Sequence, residues 1–137
     1  MSLLKTEGPH RSRGFTLIEL MIVMSLIVVL AGISLALHSN SQTRAREAVL
    51  KEDLFRLRDA IDQYYADRNA YPPSLDELVT QKYLRALPAD PFTDSVSTWQ
   101  TIMSEMDPAN PSAQPGVFDV KSGSERTAID GTRYADW

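Results

Sequence analysis

The most uniform hydrophobic pattern in the chain is a run from Phe15 to Leu37, where Glu19 is the only charged side chain in 23 residues. Built as an α-helix, this run extends about 34 Å, which is enough to cross a hydrocarbon core of roughly 30 Å. It therefore predicts a membrane-spanning helix. The polar segment before it, residues 1–14, has a net charge of +2, which favours a cytoplasmic N-terminus. Its charged residues are Lys5, Glu7, Arg11 and Arg13.

A second periodic pattern follows the apolar run. Large apolar side chains recur at steps of three and four, the spacing of one helical face, at Leu50, Leu54, Leu57, Ile61 and Tyr64. We therefore predict one long helix from Phe15 to Asn69, with its weakest point at Gly32 or at residues 39–41. The stripe is interpreted as a face packed on the rest of the chain, and a coiled coil with a partner is the alternative. Acid–base pairs at i,i+4 are expected at Glu47–Lys51 and Glu52–Arg56.

Beyond Asn69 the pattern changes to shorter elements. Ser74 and Glu77 have the spacing of a capping box, which predicts a short helix that continues to about Gln81. Two segments, residues 96–103 and 116–120, are rich in β-branched and aromatic side chains or alternate apolar with polar, and they predict strands. A proline-rich loop, residues 107–115, separates them. We therefore predict an α+β fold in which a small antiparallel sheet packs on the long helix.

Composition narrows the functional classes. The chain has 137 residues, 14 basic and 18 acidic side chains and a net charge of −4, which becomes −6 without residues 1–14. A negative balance of this size disfavours nucleic-acid binding. The chain has no cysteine, so a disulfide cannot hold its outer part together.

Glu19 is the residue whose position most needs an explanation. A carboxylate inside the span costs roughly 2.5–3.5 kcal/mol on insertion scales, so it should find a partner or take up a proton. Cleavage after Gly14 would free an α-amine on Phe15, and this amine, on the same chain or on a neighbouring copy, is the nearest candidate partner. Pairing with a neighbour would turn a cost of the single chain into a preference for a filament. The alternative is an acid that reaches back to the membrane surface.

Residues 13–23, with Gly14, Phe15 and Glu19 leading into the apolar run, resemble the class III signal of type IV pilins and type II secretion pseudopilins. The resemblance implies that a membrane-embedded prepilin peptidase cuts after Gly14 and methylates Phe15, and that Glu19 guides assembly. Residues 69–92, with a Tyr-Pro pair, a short helix and a Leu-Pro-x-Asp-Pro turn, are similar to the region after the long helix of the major, G-type pseudopilins. The lack of cysteine, and of proline within the span, favours the secretion branch.

The resemblance implies a type IV pilin-like α+β fold in four parts. These are a leader at residues 1–14, a transmembrane half-helix at 15–37, an amphipathic half-helix at 38–69 and a periplasmic head at 70–137. It also implies a structural subunit, not an enzyme, which crosses the inner membrane once and polymerises into a periplasmic filament that drives protein export. The implied partners are other copies of the chain, the prepilin peptidase, the inner-membrane assembly platform and minor pseudopilins.

Two other functions remain open at this point. One is a type IV pilin that forms a surface fibre for adhesion, motility or DNA uptake. The other is a lone membrane-anchored binding module, which would be neither cleaved after Gly14 nor polymerised. An enzyme is not expected, because no catalytic grouping is evident in the sequence, and His10 falls in the predicted leader and His38 at the end of the apolar run.

A metal site is a further implication of the resemblance, since major pseudopilins commonly bind calcium in the loop before a terminal tryptophan. The corresponding loop here is short and poor in acids. Glu125 and Asp130, helped by Ser122 and Ser124, supply only part of the six to eight oxygens that calcium requires. We therefore treat Glu125 and Asp130 as weak calcium candidates and expect no cofactor. The expected arrangement is a loop closed by hydrogen bonds, with a turn at Asp130–Gly131 and Trp137 packed into the head.

Overall fold

The computed structural model describes Gly8, residues 13–106 and residues 108–137. The chain divides between Ser39 and Asn40 into two compact units, which we call the N-terminal unit and the C-terminal unit. Several residues discussed above lie outside the described residues, namely Lys5, Glu7, His10 and Arg11 of the predicted leader and Asp107 of the proline-rich loop.

The first helix, α1, spans Leu17–Arg68, which confirms the predicted long helix to within two residues at each end. The predicted weak points, Gly32 and residues 39–41, remain helical. The helix ends where Asn69 adopts a φ of +52°, the left-handed conformation that commonly follows a helix. The N–H of Asn69 still donates to the carbonyl oxygen of Tyr65, which satisfies one carbonyl of the last turn.

The N-terminal unit is apolar on all sides. Its large apolar side chains are all exposed, from 47% at Val23 to 87% at Phe15. Its two serines within the span are satisfied internally, because Ser25 and Ser34 donate their hydroxyl hydrogens to main-chain oxygens one turn earlier, at 2.8 and 2.9 Å. By length and composition α1 is able to cross a membrane. A surface of this kind needs a cover of lipid or of other apolar helices.

The C-terminal unit folds around the apolar face of α1. All five residues of the predicted stripe are buried, and Leu50, Leu57 and Ile61 are completely inaccessible. The stripe is therefore the core face of this unit, as we interpreted it, and the coiled-coil alternative is wrong. The rest of the buried apolar core consists of Ala60, Leu75, Leu78, Trp99, Val117, Val120, Ala128 and Tyr134.

Shorter elements complete the C-terminal unit. They are helix α2 at Leu75–Thr80, strand β1 at Gln100–Met103, strand β2 at Val117–Lys121 and a 3-10 helix at Tyr134–Asp136. Ser74 is the N-cap of α2, as predicted. The prediction of capping-box hydrogen bonds is wrong, because the side chain of Ser74 makes no cap bond. Glu77 instead accepts a hydrogen bond from the side-chain amide of Gln81 at 2.8 Å, because a partner one turn ahead competes for the same carboxylate.

Strands β1 and β2 pair antiparallel, which confirms the predicted sheet and the α+β class. The pairing is interrupted by a bulge between Ile102 and Met103. All four side chains of β1 are exposed, whereas Val117 and Val120 of β2 point into the core. The sheet therefore contributes to the core through β2, and β1 lies outside it.

Asp53 lies among the apolar residues of α1 and is 8% exposed. Burial raises the pKa of its carboxyl, and the nearby Arg56 opposes this shift. An acid whose pKa is raised in the folded state binds its proton more tightly in the folded protein than in the unfolded chain. The free energy of unfolding therefore falls as the pH rises from the ordinary pKa of 3.8 through the raised pKa of the folded state.

We therefore expect Asp53→Asn to raise the thermal stability of the full chain in detergent at pH 7, and expect this gain to vanish near pH ~3, where both states are protonated. Melting temperatures at the two pH values measure this. Asp62→Asn, at an exposed position of the same helix, is the matched control and should change little at either pH. A lower melting temperature for Asp53→Asn at pH 7 would contradict the prediction.

Candidate functional site

The predicted processing site lies in the extended segment before α1. Arg13, Gly14 and Phe15 are exposed, and Phe15 shows 87% of its surface. A Cβ atom added to Gly14 would meet nothing within 4 Å. The fold therefore imposes no steric demand for glycine at this position, and a requirement for glycine there has to come from another molecule. The segment is accessible to an enzyme that binds an extended chain.

Glu19 takes part in a capping box at the start of α1. Its N–H donates to the hydroxyl oxygen of Thr16 at 3.2 Å, and its own carboxylate accepts a hydrogen bond from the N–H of Thr16 at 3.5 Å. Two of the main-chain donors left open at the helix start are satisfied in this way. Sequence reasoning missed this arrangement, although Thr16-Leu17-Ile18-Glu19 has the spacing that predicts it.

The capping box leaves the charge of Glu19 largely uncompensated. The bond from Thr16 is at the upper limit of hydrogen-bond length, and the neighbouring side chains Ile18, Leu20 and Ile22 are apolar and exposed. A carboxylate in these surroundings is stable in water but costly in lipid. The site therefore presents an anionic group that a cation from outside the single chain can neutralise.

The C-terminal loop, residues 122–137, is attached to α1 by Glu47. One carboxylate oxygen of Glu47 accepts hydrogen bonds from the N–H of Ile129 at 2.8 Å and from the hydroxyl of Tyr134 at 2.9 Å. The predicted Glu47–Lys51 ion pair is therefore wrong, and the Lys51 ammonium instead lies 4.5 Å from the ring centre of Trp137. Burial, with the adjacent Glu47 carboxylate, raises the pKa of Tyr134 to about 12, which keeps its hydroxyl protonated as a donor.

The predicted pair Glu52–Arg56 is confirmed at 2.9 Å.

Two more charged side chains fix the same loop. Arg58 donates to the carboxylate of Asp119 at 2.8 Å and to the main-chain oxygens of Val120 and Trp137 at 3.0 and 2.8 Å. Asp90, which is fully buried, accepts a hydrogen bond from the hydroxyl of Ser122 at 2.5 Å. These contacts link α1, β2 and the turn at residues 88–92 to the two ends of the loop.

The loop also has the turn and the aromatic contact that we predicted. Asp130 and Gly131 form a turn in which the N–H of Gly131 donates to the carbonyl oxygen of Ala128 at 3.0 Å. Gly131 has a φ of +88°, a conformation that favours glycine. Trp137 is partly buried and meets the ring of Tyr134 edge-on, with ring centres 5.1 Å apart.

The residues present do not fit a calcium site. No group of three or more His, Cys, Asp or Glu side chains that could hold a metal occurs among the residues that the structure describes. Glu125 is exposed, and one carboxylate oxygen of Asp130 accepts both the N–H and the hydroxyl hydrogen of Thr132 at 2.9 and 2.6 Å. These bonds from Thr132 hold the pKa of the Asp130 carboxyl below its usual range. Ser122 and Ser124 are buried, and the hydroxyl of Ser122 donates to Asp90 and accepts the N–H of Ser124, whereas Glu125 is exposed.

Comparison with known protein families identifies the N-terminal segment. Residues 9–35 match the family model described as the prokaryotic N-terminal methylation motif. The match includes Gly14, Phe15 and Glu19 and most of the apolar run. No solved structure matches the chain.

Curated relatives extend the similarity beyond this segment. The chain is 32% identical over 102 residues to the type II secretion system core protein G of Pectobacterium carotovorum, covering 63% of this chain and 65% of that protein. It is 31% identical to the core protein G of Escherichia coli over 63% of this chain and 70% of that protein. The type IV major pilin protein PilA of Myxococcus xanthus is 35% identical over half of this chain, which covers 31% of the pilin. The chain thus spans about two thirds of the core proteins G that it matches.

Proposed function

The chain belongs to the family of the type II secretion system core protein G, the major pseudopilins, and on this premise we propose that it polymerises into a pseudopilus that drives protein export. The subunit role is structural. The processed chain sits in the inner membrane with the C-terminal unit in the periplasm, and copies leave the lipid as they join the filament. Its partners are the prepilin peptidase, the inner-membrane assembly platform and minor pseudopilins.

The observation that carries this proposal is that every large apolar side chain of the N-terminal unit is exposed. Lipid covers this surface while the chain is a monomer. Once the helix leaves the membrane, the same area must be covered again, because apolar burial contributes about 25 cal/mol per Å². A bundle of identical helices provides such a cover, since each copy brings the same apolar surface.

Glu19 gives the bundle its specificity. Removal of residues 1–14 creates a positively charged amine on Phe15, four positions before Glu19. The amine of one copy neutralises the Glu19 carboxylate of the adjacent copy, and this pair replaces the weak capping bond from Thr16 as the main partner of the acid. Each of the two charges has its own desolvation cost, but the attraction between them offsets much of that cost, whereas an unpaired buried charge has no such compensation.

Processing after Gly14 is the first testable step. We expect Gly14→Val to block cleavage, so that the protein keeps residues 1–14, stays in the membrane and does not form filaments. The substitution does not disturb the fold, because a Cβ atom at Gly14 meets open space. Mass spectrometry of the membrane fraction measures the retained leader and the methylated Phe15 of the wild type.

Gly8→Val is the matched control for this experiment, because Gly8 also has open space around its Cβ position but lies inside the leader. The control should be cleaved after Gly14 like the wild type. Functional filaments built from chains that still carry residues 1–14 would overturn the proposed processing and with it the proposed pairing of Glu19.

The similarity to the pilin PilA supports a second candidate function, a type IV pilin of a surface fibre. A deletion strain separates the two. Loss of exported proteins from the medium, with their retention in the periplasm, supports the pseudopilus, and plasmid-borne wild type should restore export. Loss of surface fibres with normal export supports the pilin instead.

A further inference from the structure

We propose that the C-terminal loop, residues 122–137, is held in place by a metal-free clamp of Glu47, Arg58 and Asp90, and that calcium has no part in its structure. The proposal concerns the fold of the C-terminal unit alone. It does not depend on filament formation, and it stands or falls separately from the proposed function.

The first argument is that three side-chain oxygens that a cation would need already accept hydrogen bonds, namely one carboxylate oxygen of Asp130 and the hydroxyl oxygens of Ser122 and Ser124. The carboxylate of Asp130 accepts two hydrogen bonds from Thr132, at 2.9 and 2.6 Å. The hydroxyl of Ser122 donates to Asp90 and accepts the N–H of Ser124 at 3.1 Å, and both serines are buried. The hydroxyl oxygen of Ser124 accepts the N–H of Arg126 at 3.3 Å. A cation would have to replace these bonds before it gained six to eight ligands of its own.

The second argument is that three cationic side chains lie around the loop. Lys51 lies over the ring of Trp137, and its charge contributes to the lowered pKa of Asp130. Arg58 binds the main-chain oxygen of Trp137, and the guanidinium of Arg126 lies 5.6 Å from the ring centre of Phe92. These three cationic groups offset part of the negative charge of Glu47, Asp90, Glu125 and Asp130 that would otherwise attract a divalent cation.

The third argument is that the clamp binds the loop at its start, its middle and its end. Glu47 binds its middle and its 3-10 helix, through Ile129 and Tyr134. Asp90 binds its start, at Ser122, and Arg58 binds its last residue, Trp137. Hydrogen bonds to charged groups contribute about 1.5–3 kcal/mol each in general, and groups that stay buried without partners are strongly unfavourable.

The calcium arm of the test measures the melting temperature of the processed full chain in detergent, with millimolar calcium chloride and with a chelator in its place. We expect the two values to agree within about 1 °C. A site saturated to a hundred times its Kd would raise the melting temperature of a unit this size by roughly 10 °C or more. A rise of several degrees that the chelator reverses overturns the proposal.

The clamp arm compares Glu47→Ala with Glu52→Ala. Both remove a glutamate from α1, but Glu52 is exposed and pairs only with Arg56 at the surface. We expect Glu47→Ala to lower the melting temperature by about 10 °C or more, and expect Glu52→Ala to change it by about 2 °C or less. Equal melting temperatures for the two variants overturn the clamp.

A local readout keeps the test decisive if Glu47→Ala does not fold. In Glu47→Gln the side chain keeps its size and an acceptor oxygen but loses its charge, so the fold should survive. The N–H of Ile129 donates to Glu47, and its hydrogen exchange should become about tenfold faster in Glu47→Gln. Exchange at Ile129 that is unchanged by Glu47→Gln, or slowed by calcium in the wild type, contradicts the proposal.

Discussion

Replacing Glu19 by alanine is expected to abolish filament assembly while the chain still inserts into the membrane. Insertion depends on the apolar run, which the substitution makes more apolar, and the carboxylate it removes costs roughly 2.5–3.5 kcal/mol in lipid. In the proposed filament, assembly depends on the pair between this carboxylate and the amine of Phe15 on the next copy. Without the acid, each added copy buries an uncompensated amine, a loss of several kcal/mol per subunit. Membrane fractionation and electron microscopy of filaments from overproducing cells measure the two outcomes.

Two further variants separate the charge of Glu19 from its role in the capping box. Glu19→Gln preserves the box, because glutamine serves at this position as glutamate does, but it removes the charge. Thr16→Ala removes the side-chain half of the box and keeps the charge. We expect Glu19→Gln to fail in assembly and expect Thr16→Ala to form filaments. The reverse result would show that Glu19 acts by capping the helix and not by pairing with a neighbour.

Leu57→Ala is expected to reduce the free energy of unfolding of the C-terminal unit by about 2–5 kcal/mol. Leu57 is completely buried in the middle of the stripe on α1, so truncation leaves a cavity among closely packed neighbours. Folded domains of this size are stable by only about 5–15 kcal/mol, so the loss is a large fraction of the total. Denaturant unfolding of the processed full chain in detergent measures it, with Trp99 and Trp137 as fluorescent reporters within the unit.

Phe55→Ala is the matched control for Leu57→Ala. Phe55 lies two positions earlier on the same helix, yet 66% of it is exposed, so it belongs to the surface and not to the core. We expect its substitution to change the free energy of unfolding by about 0.5 kcal/mol or less. Similar losses for the two variants would mean that the stripe is not the core face of the unit.

Periodicity was sufficient to predict the main elements of the fold. The steps of three and four from Leu50 to Tyr64 identified the buried face of α1, because a single helix face against a core imposes that spacing. The two strands were predicted with their pairing, although β1 begins four residues later than the segment predicted from residue 96. Strand ends are set by the partner strand and by turns, which a local pattern does not contain.

Long-range polar contacts were not predictable in the same way. Glu47 binds residues that are 82 and 87 positions away, and Asp90 binds Ser122 across 32 positions. At the level of sequence, Glu47 has an equally plausible local partner in Lys51. Only the packing of the C-terminal loop on α1 decides which partner the carboxylate takes.

The capping box at the start of α1 was within reach of the sequence but was overlooked. Thr16 and Glu19 have the required spacing, but Glu19 is also the only charged residue of the apolar run, and that feature alone suggests a different role for it. Conversely, Ser74 and Glu77 have the same spacing and do not form the side-chain bonds, because Gln81 binds the acid. The motif therefore identifies a helix start more reliably than it identifies the hydrogen bonds there.

The two-stranded sheet has a consequence for how the C-terminal units of adjacent copies would remain separate in the proposed filament. Among the described residues, the outer edge of β1 has no strand beside it, and such edges are templates for aggregation. Here the edge is only four residues long, and its pairing with β2 is interrupted beside Ile102 and Met103, where Phe118 of β2 is the extra residue of a bulge, so little regular strand is left for a foreign strand to join. In the proposed filament, such an edge would disfavour strand pairing between neighbouring C-terminal units and leave association to the apolar helices.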